Sequence, residues 1–160
     1  QNQTIVLSEM LENTTQSLRQ TAEAKSVSLN LNIPGISIET DPGLLDTIVR
    51  NLVANAIKFS YSGQTVSVAA HVENNFVTVS VSDTGTGMSG ETLDNLFQLD
   101  KAKSLPGTAN ETGTGLGLFL SHEFAVRLGG KIEVSSKENE GSVFSIVLPL
   151  KEENEDNIGN

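Results

Sequence analysis

The sequence predicts an α+β two-layer sandwich: a mixed five-stranded sheet with helices on one face and a long lid-like segment. Three observations carry this. Several stretches alternate apolar and polar residues, as half-buried strands do. Between them lie runs with apolar residues at helical spacing. Residues 84–114 are rich in Gly, Ser, Thr and Asn, with little to build a core. A stretch of that length inside a compact domain is usually a functional lid.

The elements follow in order. "QTIVLS" reads as a short strand, with Ser8 as N-cap of a helix over residues 9–24 on which Leu11, Leu18 and Ala22 share a face. "VSLNLNI" alternates from Val27 to Ile33, and "SIET" is a further extended piece. Asp41-Pro42 then starts a helix: Asp accepts the first free N–H groups, and Pro loses nothing at the first helical position. That helix runs to about Phe59, with Leu45, Ile48, Leu52, Ala56 and Phe59 on one face, and "SYSG" ends it. "TVSVAAHV" and "FVTVSVSD" read as a hairpin joined at "ENN". A short helix fits residues 91–97. A longer one fits Leu116 to Leu128, stopped by Gly129-Gly130. "KIEVSS" and "SVFSIVLPL" close the fold as two strands joined by "KENEG". There is no internal repeat.

The chain has 160 residues, enough for one domain with a substantial core. Residues 1–150 are expected to form it, with "KEENEDNIGN" (151–160) as an acidic tail or linker. The absence of cysteine excludes disulfides and thiolate metal sites. No apolar run approaches the roughly 20 residues needed to cross a bilayer. The chain starts at Gln1 without an initiator Met or a signal peptide, so it is expected to be a piece of a longer protein. The net charge of −10 argues against nucleic acid or an anionic membrane as partner. An anionic ligand would depend on backbone N–H groups, a few lysines and a metal.

Three motifs carry chemistry. In "NLVANAIK", Asn51, Asn55 and Lys58 stand at i, i+4 and i+7, within roughly 60° of one another on the helix, beside its apolar face. Two carboxamide oxygens and an ammonium in a row suit a magnesium-bound polyphosphate, since Mg²⁺ takes oxygen ligands and Lys offers a point charge. A polar helix edge explains the same residues, although Asn is a poor helix former. In "SDTGTGM", Asp83 ends a strand and Gly85 and Gly87 follow. The carboxylate can accept from an exocyclic amine such as adenine's, and glycines let backbone approach a flat ring. An ordinary Asp-Thr-Gly turn is the other reading. In "GTGLGL", Gly113, Gly115 and Gly117 run into a helix, with Thr114 and Leu116 between them. Free N–H groups at a helix start can face phosphate, and small residues there can equally serve packing. The spacing is neither that of a dinucleotide fold nor that of a P-loop.

The order of these motifs resembles that of sensor histidine kinases. "NLVANAIKFS" looks like the N box, "DTGTGM" the G1 box, "LFQL" a partial F box and "GTGLGL" the G2 box. "LGGKIEVSSKENEGSVFSIVLPL" is similar to the end of the same domain. The resemblance runs from about Thr4 to Leu150 and implies the catalytic, ATP-binding domain, with the Bergerat fold shared by gyrase B, Hsp90 and MutL. It implies Mg²⁺ at Asn55, with Asn51 supporting the metal or phosphates and Lys58 on phosphate. Phe59 would line the pocket and Asp83 recognise adenine, with Gly85 and Gly87 shaping the pocket. Gly113, Thr114, Gly115, Leu116 and Gly117 would form the lid hinge and phosphate turn. The F box departs from the family pattern, since Phe97 is followed by Leu99 rather than a second Phe. Lys101 and Lys103 stand where a cation often reaches the γ-phosphate.

The resemblance further implies a cytoplasmic, monomeric domain without direct membrane contact. The phosphoryl group would go to a histidine on a dimerisation domain of the same parent protein, then to a response-regulator receiver domain. "SHEF" resembles the start of a phosphoacceptor box, but "FAVRL" follows without Thr-Pro, so His122 is expected to be a surface or helix-face histidine, and His71 structural. Three alternatives stand beside the histidine kinase: an ATPase of the gyrase, Hsp90 and MutL kind, a non-catalytic nucleotide-binding module, and a related protein-serine kinase acting on an anti-sigma antagonist.

Overall fold

The computed structural model of the chain describes residues 1–96, 107–108 and 116–150. Its elements are β1 (Gln3–Val6), α1 (Leu7–Gln16), α2 (Arg19–Ala24), β2 (Ser28–Asn32), β3 (Ser37–Thr40), α3 (Pro42–Phe59), β4 (Thr65–Glu73), β5 (Phe76–Asp83), α4 (Gly90–Asn95), α5 (Leu116–Arg127), β6 (Lys131–Lys137) and β7 (Gly141–Pro149). The main sheet has five strands in the order β2-β4-β5-β7-β6. β2 pairs parallel to β4, and the other neighbours are antiparallel. The sheet is therefore mixed, as expected.

One face of that sheet is apolar. Val66 and Val68 of β4, Val77, Val79 and Val81 of β5, and Phe144, Ile146 and Leu148 of β7 alternate inward. α3 packs on β4, β5 and β7, and α5 packs on α3 and β6. α3 contributes the centre of the core, with Leu45, Ile48, Val49, Leu52 and Val53 inaccessible to solvent. Phe59, expected on this buried face, is only half-buried, because it is the last helical residue and lies beyond the sheet's apolar centre.

α3 starts as the sequence indicates. The Asp41 carboxylate accepts from the backbone N–H of Gly43 at 3.0 Å and Leu44 at 3.2 Å. Such a cap is worth about 1 kcal/mol. The two Asn residues of the β4–β5 turn, Asn74 and Asn75, both have positive φ (52° and 65°), the geometry of a tight two-residue hairpin. α5 ends with the N–H of Gly129 on Val126 O and that of Gly130 on Ala125 O, closing its last carbonyls.

The N-terminal region corrects the expectation in two places and adds a strand pairing. The single helix over 9–24 is two helices. Thr14, Thr15 and Ser17 turn their hydroxyls back onto the carbonyls of Met10, Leu11 and Thr14, at 3.0, 2.9 and 3.0 Å. Side chains that compete for the backbone in this way weaken a helix. The Leu18 N–H accordingly bonds Thr15 O, a tighter turn, before α2 starts. Ser8 is not a cap: the helix begins at Leu7, whose N–H bonds Ile36 O at 2.8 Å. β1 and β3 pair with each other as a separate two-stranded sheet.

Candidate functional site

The site assembles around the C-terminal half of α3. Asn51, Asn55 and Lys58 are each half-buried along one stripe of that helix. The amide nitrogen of Asn51 donates to Gly117 O at 3.3 Å and to Ser121 Oγ at 3.2 Å, tying α3 to the start of α5. The Lys58 ammonium sits 5.1 Å from the centre of the Phe59 ring, within cation–π range.

The end of a helix leaves its last carbonyls without intrahelical partners. In α3 those carbonyls collect partners from three distant segments. The Lys25 ammonium donates to Ile57 O at 3.0 Å and Lys58 O at 2.8 Å. Thr108 donates its N–H to Lys58 O at 3.1 Å and its hydroxyl to Ser60 O. The N–H of Thr86 reaches Phe59 O at 3.1 Å. A cation at this position also meets the negative end of the helix dipole.

Asp83 stands at the end of β5, 7% exposed. Its carboxylate accepts from Gly85 N at 2.9 Å, and the backbone N–H of Ser142 on β7 also faces it. Burial pushes the Asp83 carboxyl above its ordinary range, and the two backbone donors pull it back only in part. A carboxylate can take about four hydrogen bonds, so capacity remains for a ligand donor.

Gly85 and Gly87 are required by close approach. A Cβ on Gly85 would lie 1.9 Å from Phe59 O, and one on Gly87 would lie 2.0 Å from Lys137 O. Gly87 also has φ of 63°, which side chains disfavour. The loop after Asp83 is thus wedged between the end of α3 and the β6–β7 hairpin.

The structure brings together Asn51 and Gly117, and separately Phe59, Asp83, Gly85 and Gly87, with Lys58 joining the second group through its ammonium over the Phe59 ring. Phe97, Lys101, Lys103, Gly113, Thr114 and Gly115 lie outside the described residues, as does the 151–160 tail. His122 is half-buried on α5, and His71 is exposed on β4 beside Glu73, 3.9 Å away. Sequence reasoning missed Lys25, Thr108 and Ser121. Each bonds a partner that is far along the chain, apart from Ser121's own bond to Gly117 O, so no local signal marks them.

Among the described residues no helix is long and apolar enough to cross a membrane. No group of three or more His, Asp or Glu among them could hold a metal ion.

Comparison with known proteins places this geometry. The family described as histidine kinase-, DNA gyrase B-, and HSP90-like ATPase matches residues 40–152. The adaptive-response sensory kinase SasA of Prochlorococcus marinus is 37% identical over 131 residues, covering 79% of this chain and 34% of that protein. The sensor histidine kinase GacS of Pseudomonas protegens is 36% identical over 157 residues, covering 94% of this chain and 17% of that protein. The chain thus spans about a third or less of the length of these relatives. Among solved structures, the nucleotide-free catalytic domain of histidine kinase ThkA superimposes with a TM-score of 0.80 at 22% identity, covering 94% of this chain and 98% of that one. The chain belongs to the histidine kinase-, gyrase B- and HSP90-like ATPase family.

Proposed function

We propose that this chain is the ATP-binding catalytic domain of a sensor histidine kinase, transferring the γ-phosphoryl of ATP to a histidine on a dimerisation domain of the same parent. The observation that carries the ligand assignment is the meeting of Asp83 and α3 through one loop. Gly85 packs against Phe59 O at the end of the Asn/Lys helix, the Thr86 N–H bonds the same carbonyl, and the Gly85 N–H donates to the buried Asp83 carboxylate. The transfer itself is supported by the relatives, a sensory kinase and a sensor histidine kinase.

The residues have distinct tasks. Asp83 accepts from the adenine amine, and Gly85 and Gly87 let the backbone come close to the ring. Asn55 offers a carboxamide oxygen to Mg²⁺, and Lys58 neutralises phosphate charge. Mg²⁺ bound with a nucleotide is held largely by phosphate oxygens and water, with one or two protein oxygens. Bound with ATP, Mg²⁺ supplies charge neutralisation on the transferring phosphoryl group. Asn51 supports this end by holding α5 against α3. Gly113, Thr114, Gly115, Leu116 and Gly117 form the hinge and phosphate turn, and Phe97, Lys101 and Lys103 lie on the lid. The domain acts in the cytoplasm as a monomer, without nucleic acid, and a receiver domain takes the phosphoryl group onward.

The test supplies the chain with Mg-ATP carrying a radiolabelled γ-phosphate and a dimerisation domain taken from a related kinase. Label on that domain's histidine, lost when the histidine is replaced by Gln, supports the reading. Release of inorganic phosphate at the same rate with or without the acceptor would make the chain a hydrolase instead. Absence of ATP binding would leave a different module.

A further inference from the structure

We infer that Ser136 on β6 is a positioning residue for the Asp83 loop, so that the β6–β7 hairpin sets the base-recognising edge of the site. The inference rests on the ATP-binding reading above and assigns that edge a second support besides α3.

Ser136 makes three hydrogen bonds with one hydroxyl. It accepts from Met88 N at 2.9 Å, donates to Gly141 O at 3.0 Å, and lies 2.8 Å from Ser142 Oγ. A serine hydroxyl has one proton and two lone pairs. With its proton on Gly141 O, Ser136 must accept from both Met88 and Ser142. Its capacity is then full and its orientation fixed. Both accepted partners matter for the loop. Met88 directly follows Gly87, and the backbone N–H of Ser142 faces the Asp83 carboxylate.

Other contacts hold the hairpin to the same loop. The N–H of Asn139 donates to Thr86 O at 2.6 Å. Gly87 packs against Lys137 O, and a Cβ on Gly141 would lie 2.1 Å from Asp83 O. Most of these are backbone contacts that mutation cannot remove singly. The Ser136 hydroxyl is the point where a side chain can be changed without moving a Cβ.

The experiment compares Ser136→Ala and Ser136→Thr with the unmodified chain. In Ser136→Ala, the Met88 amide should exchange with solvent about tenfold faster, the loss of one hydrogen bond. The Thr86 amide, held by Phe59 O, should be unchanged. Calorimetry should show a weaker preference for ATP over GTP, with inorganic tripolyphosphate binding unaffected and Ser136→Thr restoring the preference. A purely structural role would lower the melting temperature without moving base preference. Unchanged Met88 protection together with unchanged base preference overturns the inference. If the unmodified chain binds neither nucleotide, the ATP reading falls, and with it the base-recognising role assigned to Ser136. Should Ser136→Ala fail to fold, Ser136→Cys, with a weaker donor of similar size, is read by the same two measurements.

Discussion

At the Asp83 end of the site, the contacts that fix geometry are made mostly by backbone; at the α3–α5 end they are made by side chains. Around Asp83 the chain packs so closely that Cβ atoms are excluded at Gly85 and Gly87. Between α3 and α5 the link is the Asn51 amide, and a Cβ on Gly117 would sit at an ordinary 3.7 Å from it. The first construction tolerates almost no substitution, and the second loses one hydrogen bond at a time. The two ends should therefore fail differently.

Gly85→Ala should break the Asp83 end outright. Its new Cβ would overlap Phe59 O, a backbone atom that cannot swing aside. The loop must leave α3, at a cost on the order of 3 kcal/mol. A melting temperature about 10 °C lower, with nucleotide binding lost, is the expected result by scanning calorimetry. Gly90→Ala is the control, since nothing lies within 4 Å of a Cβ there. Equal effects at the two positions would refute the backbone account.

Asp83→Asn separates binding from folding at the same end. Burial raises the folded-state pKa of Asp83 above 3.8. A carboxyl raised on folding contributes stability that is complete below its unfolded pKa and lost as pH rises through its folded pKa. At neutral pH the ionised group therefore costs stability, and Asn removes that cost. Thermal stability should hold or rise, while ATP affinity falls roughly 30-fold through loss of a charge-assisted hydrogen bond. Binding has the opposite pH sense: affinity should weaken as pH drops through the raised pKa. A variant that loses stability and keeps affinity would sink the adenine assignment.

This contrast also explains what the sequence could show. Where backbone packs on backbone, glycine is forced, and D-x-G-x-G stands out at Asp83, Gly85 and Gly87. The Asp41-Pro42 start, the Asn74-Asn75 turn and the alternating strands were legible for the same reason, each being set by neighbours in the chain. Lys25 and Ser136 were invisible. Lys25 meets Ile57 and Lys58 more than 30 residues on, and Ser136 reaches back 48 residues to Met88. The break between α1 and α2 lay in plain view as Thr14, Thr15 and Ser17. Helical spacing of Leu11, Leu18 and Ala22 outweighed it, because periodicity records which face is buried and not whether the helix is continuous.

Lys25→Met tests a side-chain contact at the C-terminal end of α3, next to the backbone-packed loop. Two carbonyls of α3 lose their cation, and stability should fall by about 1–2 kcal/mol. Lys25→Arg should recover most of it. Because the same carbonyls flank Lys58 and Phe59, ATP affinity should weaken by a few fold alongside. A stability loss with Met and none with Arg, read by urea denaturation, would confirm the contact. Equal loss in both would make packing of the side-chain stem its main role.

Asn51→Ala should have the smallest effect, and it sharpens the comparison most. The Asn51 amide nitrogen is engaged with Gly117 and Ser121, so its direct part at a metal would rest on its oxygen alone. If Asn51 acts by tying α5 to α3, its removal should cost about 1 kcal/mol of stability and leave the magnesium dependence of ATP affinity unchanged. Asn55→Ala should do the reverse, sparing stability and flattening the magnesium dependence, since Asn55 is the residue assigned to the ion. Titrating ATP at fixed and varied Mg²⁺ with both variants separates the two. Should Asn51→Ala flatten the magnesium dependence as Asn55→Ala does, the stripe on α3 works as one metal-binding unit. The α3–α5 hydrogen bond would then be a by-product of where the ligand needs Asn51 to stand.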